Sequence, residues 1–117
     1  MEDLRHFLLF TRWVHLGVIK TEHYPTLEDA FDACMDKDYD HVLIRHSYPK
    51  GRRIHPHRHD AYEWVIATHG YFSVESEGDK MEFDLDGSET VAIHYPAGTE
   101  HALTVLGDVL DYFVMRI

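Results

Sequence analysis

From His41 onward the chain alternates short runs of β-branched and aromatic residues with polar, glycine-containing breaks, the pattern of an all-β domain. Strands are predicted over residues 41–48, 53–58, 62–68, 71–77, 80–85, 90–94, 101–106 and 109–116. Turns fit at Pro49-Lys50-Gly51, His69-Gly70, Glu77-Gly78-Asp79, Asp86-Gly87-Ser88, Pro96-Ala97-Gly98 and Gly107-Asp108, where glycine supplies positive φ and proline fixes a bend. Such a meander can close into a barrel, which removes its exposed edges. Ahead of it, TLEDAFDACMDK has a helical period. Leu27, Ala30, Phe31, Cys34 and Met35 fall on one face, and Thr26 with Asp29 resembles a capping box, so one short helix is expected.

Residues 1–24 fit neither period, because LRHFLLFTRWVHLGVIK is apolar on both faces under either count. Phe7, Leu8, Leu9, Phe10, Trp13, Val14, Val18 and Ile19 carry too much apolar area to remain in water, so they are expected to pack on the barrel or on a partner subunit. The resulting expectation is an amino-terminal extension over 1–40 with one short helix, a barrel over 41–117 and a single domain overall. The surplus of apolar area in the extension points to a homodimer.

Composition narrows the classes. A chain of 117 residues buries about two-thirds of its unfolded surface without needing disulfides. Cys34 is the only cysteine, so an internal disulfide and a cysteine-rich zinc module are excluded, and a cytoplasmic protein is favoured. His6, Arg12 and His15 interrupt the first apolar stretch, so neither a signal peptide nor a membrane span is expected. The formal net charge of -10 repels a phosphate backbone, so no nucleic-acid partner is expected. The local exception is Lys50, Arg52, Arg53 and Arg58, which either draw an anionic substrate or form a solvated loop paired with acids. No G-x-S-x-G elbow, Walker loop or dinucleotide fingerprint occurs.

The densest chemistry lies in GRRIHPHRHDAYEWVIATHG, which places His57, His59 and Glu63 as H-x-H-x-x-x-E between Gly51 and Gly70. Alternation along a strand puts His57 and His59 on one side, where two imidazoles can meet one ion. A bend at Asp60 and Ala61 lets Glu63 return on the next strand as an oxygen ligand, and the Pro96-Ala97-Gly98 turn delivers His101 from a distant strand. Three neutral imidazoles and one carboxylate around a divalent cation leave one net positive charge and, for an octahedral ion, two open positions. The same alternation places Arg53 and His55 beside His57 as candidates for orienting a substrate. His55 paired with His57 is an alternative H-x-H, but that register leaves Glu63 too far along. His69 and His94 read as surface or structural histidines, and Cys34 as a packing residue.

Gly51, His57, His59, Glu63 and Gly70 resemble the first motif of the cupin superfamily at every spacing, and Pro96, Gly98 and His101 resemble part of the second. Val105 stands where that family usually has asparagine, and Gly87 lies one residue farther from Pro96 than its pattern allows. The asparagine is not a metal ligand there, so its replacement concerns local packing. The resemblance covers roughly residues 41–117 and implies a mainly β fold, a double-stranded β-helix or jelly-roll-like barrel with a metal inside its mouth. It implies no single reaction, since such barrels host dioxygenases, isomerases, decarboxylases and non-enzymatic binders. The leading expectation is a metal-dependent enzyme on a small organic molecule, of the Fe(II) dioxygenase kind, with iron held by His57, His59, Glu63 and His101. The alternatives are an isomerase or decarboxylase using Mn, Ni or Zn, and a binder of metal or small ligand without turnover.

Overall fold

The computed structural model describes residues 20–35 and 42–116. The apolar residues from Phe7 to Ile19, and with them the expected subunit contact, lie outside that range. The elements are β1 (Lys20–Tyr24), α1 (Leu27–Met35), β2 (Val42–Pro49), β3 (Arg53–His57), β4 (Glu63–Ser76), β5 (Asp79–Tyr95), β6 (His101–Val105) and β7 (Val109–Arg116). All strand pairings are antiparallel.

Two long strands organise the barrel. β4 pairs with β5 along its whole length, from Glu63↔Tyr95 to Ser76↔Asp79. On its other edge β4 meets β7 from Glu63 to His69 and β6 from Phe72 to Glu75. One sheet therefore runs β1-β5-β4-β7-β2 and the other β5-β4-β6-β3, with β4 and β5 passing from one to the other. Strand β1, inside the segment expected to form an extension, is the edge of the first sheet and is paired with β5 from Lys20↔His94 to Tyr24↔Thr90.

The turns expected at His69-Gly70 and Asp86-Gly87-Ser88 do not separate strands. Both breaks lie within continuous strands, at the place where β4 and β5 change sheets. Thr68 is a bulge against β7, and against β5 it faces residues 87–90, its hydroxyl meeting Thr90 Oγ1 at 3.0 Å. One extra residue exchanges the faces of a strand. Hence Val65 and Ala67 point inward before the bulge, and Phe72 and Val74 after it. Gly70, at φ 138°, makes the bend, and opposite it Asp86 Oδ1 accepts the Ser88 N–H at 2.9 Å around Gly87, at φ 97°. The turn at Glu77-Gly78 does form. Both residues take positive φ, as a two-residue type I′ hairpin requires.

The barrel interior holds Phe72, Val74, Phe83, Val91, Ile93 and Val105, among others. Val105, the residue in place of asparagine, is buried there, and its backbone pairs with Gly51 and Arg52 at 2.9 Å. The outer face of the first sheet is covered by α1, where Ala30 and Cys34 pack with Trp64, Ile66, Ala92 and Met115. The Asp29 N–H donates to Thr26 Oγ1 at 3.1 Å, so Thr26 caps the helix as its sequence suggests. Met35, placed on the apolar face by its spacing, is largely exposed. No helix among the described residues is long and apolar enough to cross a membrane.

Candidate metal centre

Two cross-strand pairs and one loop build the site. His57 on β3 lies opposite His101 on β6, and Glu63 on β4 opposite Arg116 on β7. His59 follows β3 in the loop leading to β4, and its carbonyl accepts the Gly98 N–H at 2.8 Å. That bond ties His59 to the turn that delivers His101. Thr99 closes the same turn by donating its N–H to the Pro96 carbonyl at 3.1 Å.

The ring nitrogens of His57, His59 and His101 converge, with one ligand atom from each within 4.8 Å of the others. His57 Nδ1 donates to the His55 carbonyl at 2.8 Å, and His101 Nδ1 to the Thr99 carbonyl at 2.9 Å. Carbonyl acceptors fix the tautomer and turn each Nε2 lone pair toward the centre, the outer-sphere arrangement typical of metal-binding histidines. Tyr95 stacks on the His101 ring at 4.0 Å between centroids and holds its plane.

Glu63, only 4% exposed, sits against this triad. Its Oε2 is 3.2 Å from His101 Nε2 and its Oε1 3.6 Å from His59 Nε2, while Arg116 Nε donates to Oε1 at 2.8 Å. The buried His101 Nε2 makes no aligned hydrogen bond despite that approach. A ring lone pair facing a carboxylate oxygen repels it unless a proton or a metal cation lies between. The three imidazoles form a cluster that could hold a divalent ion, and Glu63, beside His59 and His101 but outside that cluster, would add a hard oxygen, a donor set suited to iron, manganese, nickel or zinc. Burial pushes the Glu63 carboxyl up, but contacts from His101 and Arg116, with the charges of His101 and His59, outweigh it and bring the pKa below the ordinary carboxylate value. Burial depresses His59, and although Glu63 opposes this, Arg116, His57 and His101 add to it, which favours a neutral ring ready to ligate.

The triad opens on a cavity of about 200 Å³. Its walls combine apolar Ile54, Val65, Leu103 and Val114 with polar His46, Tyr48, Tyr95, Tyr112 and Arg116. Tyr48 Oη and His46 Nδ1 share a hydrogen bond at 3.1 Å, with the Arg52 guanidinium 4.7 Å above the Tyr48 ring. Burial raises the phenols of Tyr95 and Tyr112, which therefore stay protonated.

Of the residues singled out in the sequence, His57, His59, Glu63 and His101 come together. Arg53 and His55 do not join them. The register shifts between Ile54 and His57, at His55-Pro56, so alternation fails there and Ile54, not His55, shares the inward face of His57. Arg53 is exposed and donates to Thr104 Oγ1 at 3.1 Å and Glu75 Oε2 at 3.3 Å, and exposed His55 contributes its carbonyl to His57. Arg58 pairs with Glu100 at 3.4 Å, so much of the basic cluster is matched by acids. His69 is exposed, and His94 is buried on the outer face with its Nε2 2.9 Å from Glu22. Arg116, His46, Tyr48 and Tyr112 were missed as site residues. A signal for Arg116 exists, since Leu110, Tyr112, Val114 and Arg116 share one strand face and only the last is charged.

No protein-family model and no curated protein matches the chain. Solved structures do match. An RmlC-like cupin family protein with a double-stranded β-helix fold, from Methanocaldococcus jannaschii, superposes with a TM-score of 0.55 at 18% identity, over 66% of this chain and 70% of that one. The chain has the cupin fold. The chain is also similar to a predicted oxalate decarboxylase from Thermotoga maritima, with a TM-score of 0.56 at 14% identity over 85% of this chain and 79% of that one. A conserved protein of unknown function from Streptococcus pyogenes matches with a TM-score of 0.56 at 20% identity over 67% of this chain, which spans 64% of the length of that protein. At these identities the likeness establishes the barrel, and the reaction must be argued from the site.

Proposed function

We propose that this cupin is a metal-dependent enzyme acting on a small organic molecule, with one divalent ion held by His57, His59, His101 and Glu63 and iron(II) as that ion. The observation that carries the reading is the convergence of three imidazoles beside a buried carboxylate at the wall of a small cavity. A bound ion would supply Lewis acidity and, as iron(II), electrons for dioxygen, the chemistry of a dioxygenase. The chain's own part is to hold and shield. Carbonyls of His55 and Thr99 fix two ligand rings, Ile54, Val65, Leu103 and Val114 exclude water, and the cavity admits only a small substrate.

A second reading is a non-oxidative lyase, isomerase or decarboxylase with Mn, Ni or Zn. It is favoured by the proton-bearing groups around the cavity, the Tyr48–His46 pair and the protonated phenols of Tyr95 and Tyr112. The likeness to a predicted oxalate decarboxylase points the same way.

Metal content by mass spectrometry on native protein and on His57→Ala and His101→Ala variants tests the common ground. Near-stoichiometric iron, lost in both variants, followed by oxygen uptake with a panel of small catechols, thiols or diketones, is the expected result. Zinc, nickel or manganese without oxygen uptake supports the second reading. A protein that takes up no metal defeats both.

A further inference from the structure

We infer that Arg116 is the substrate-recognition residue of this cavity and that the molecule it recognises is a small carboxylate or other oxyanion. The inference rests on the metal-dependent reading above and adds a substrate class to it. Charge is the first argument. Among the described residues, Glu63 is the only carboxylate lining the cavity and Arg116 the only arginine or lysine. A divalent ion, Glu63 and Arg116 together leave two positive charges in a space otherwise walled by apolar side chains, imidazoles and neutral phenols. In such low-dielectric surroundings an uncompensated charge is costly, and an anion is the ligand that relieves it.

Geometry is the second. Arg116 Nε donates to Glu63 Oε1 at 2.8 Å, and Nη2 lies 3.4 Å from His59 Nε2. Among the described residues, Nη1 has no hydrogen-bond partner. The His59 Nε2 lone pair cannot accept from Nη2 and ligate an ion at the same time. Loading the metal therefore releases Nη2 while Glu63 keeps Nε. What remains free is the Nη1/Nη2 end of the guanidinium, two donors in the fork that matches a carboxylate. Arg116 thus changes from a partner of Glu63 and His59 to a donor for a substrate anion. Of the exposed arginines near the mouth, Arg53 and Arg58 are engaged by Glu75 and Glu100, and Arg52 lies over the Tyr48 ring without lining the cavity.

Calorimetric titration with malonate, a small dicarboxylate, and malonamide, its neutral counterpart, provides the test. Metal-loaded wild-type protein should bind malonate about tenfold or more tightly than malonamide, the discrimination expected of a charge-assisted hydrogen-bond pair. Arg116→Gln should remove that preference while keeping the metal stoichiometry, and Arg116→Lys, which preserves the Glu63 ion pair, should retain part of it. Equal malonate affinity in wild type and Arg116→Gln, both carrying metal, overturns the inference, as does wild-type protein that fails to prefer malonate. Should wild type take no metal, the metal-dependent reading fails by itself, and metal-free Glu63→Gln decides for Arg116. That variant frees the guanidinium, so malonate binding that vanishes in Glu63→Gln/Arg116→Gln upholds Arg116, and no binding in Glu63→Gln overturns it.

Discussion

A carboxylate as buried as Glu63 stays ionised because Arg116 and two imidazole rings surround it. Desolvation opposes the charge, and His101, Arg116 and His59 more than offset it, so the folded-state pKa lies below the ordinary value of 4.5. The sign of the linkage follows. A depressed carboxyl pKa contributes stability that is full above the unfolded value and is lost as pH falls through the folded one. In the metal-free protein, urea midpoints measured from pH 7 down to pH 3 should fall below about pH 4.5, and Glu63→Gln should flatten that part of the curve. An identical acid limb in both proteins would show that Glu63 is not held as described. Cys34 makes the opposite case. Burial pushes the thiol up to about 11, so native protein at pH 8 should resist a thiol reagent that reacts at once in urea. Rapid native labelling would contradict the packing of Cys34 between α1 and the first sheet.

At the sheet crossing in β4, local sequence and the assembled barrel place different demands on the same residues. His69-Gly70 reads as a turn because glycine there is unmistakable, yet its positive φ bends one strand from sheet to sheet. A Cβ at Gly70 would lie 2.7 Å from Leu110 Cδ1, a side chain itself fully buried. Gly70→Ala should therefore combine backbone strain with overpacking and cost about 1–3 kcal/mol. Gly51→Ala, also at positive φ but with open space around it, should cost less. Equal urea midpoints for the two variants would contradict this account. The helix and the eight strand-forming runs were legible because hydrophobic period reports which face is buried. What was not legible is continuity, since whether two runs form one bent strand depends on partners distant in sequence, β6 and β7 here. The site shows the same division. His57, His59, Glu63 and His101 were legible from spacing, whereas Arg53 and His55 were misplaced because the bulge at His55-Pro56 belongs to the pairing with β6.

For the molecule as a whole, an ion bound in the folded barrel and absent from the unfolded chain must raise stability by mass action. At a free metal concentration one hundred times the dissociation constant the gain is about 2.7 kcal/mol, which for a domain of this size raises the melting temperature by roughly 10 °C. The net charge of -10 complicates the measurement, because exposed acids also gather divalent cations. Salt separates the two effects. Exposed charges are screened beyond about 8 Å at physiological ionic strength, and buried ligands much less, so the shift should survive a rise to high salt if His57, His59, His101 and Glu63 produce it. Calorimetric melting with and without metal should then show His57→Ala and His101→Ala losing the increment. Arg116→Gln should keep it, since removing the guanidinium takes away both a repelling charge and a competitor for His59 Nε2. A shift that disappears in salt, or that survives loss of either histidine, would assign the metal to the acidic surface and leave the histidine triad without its ion.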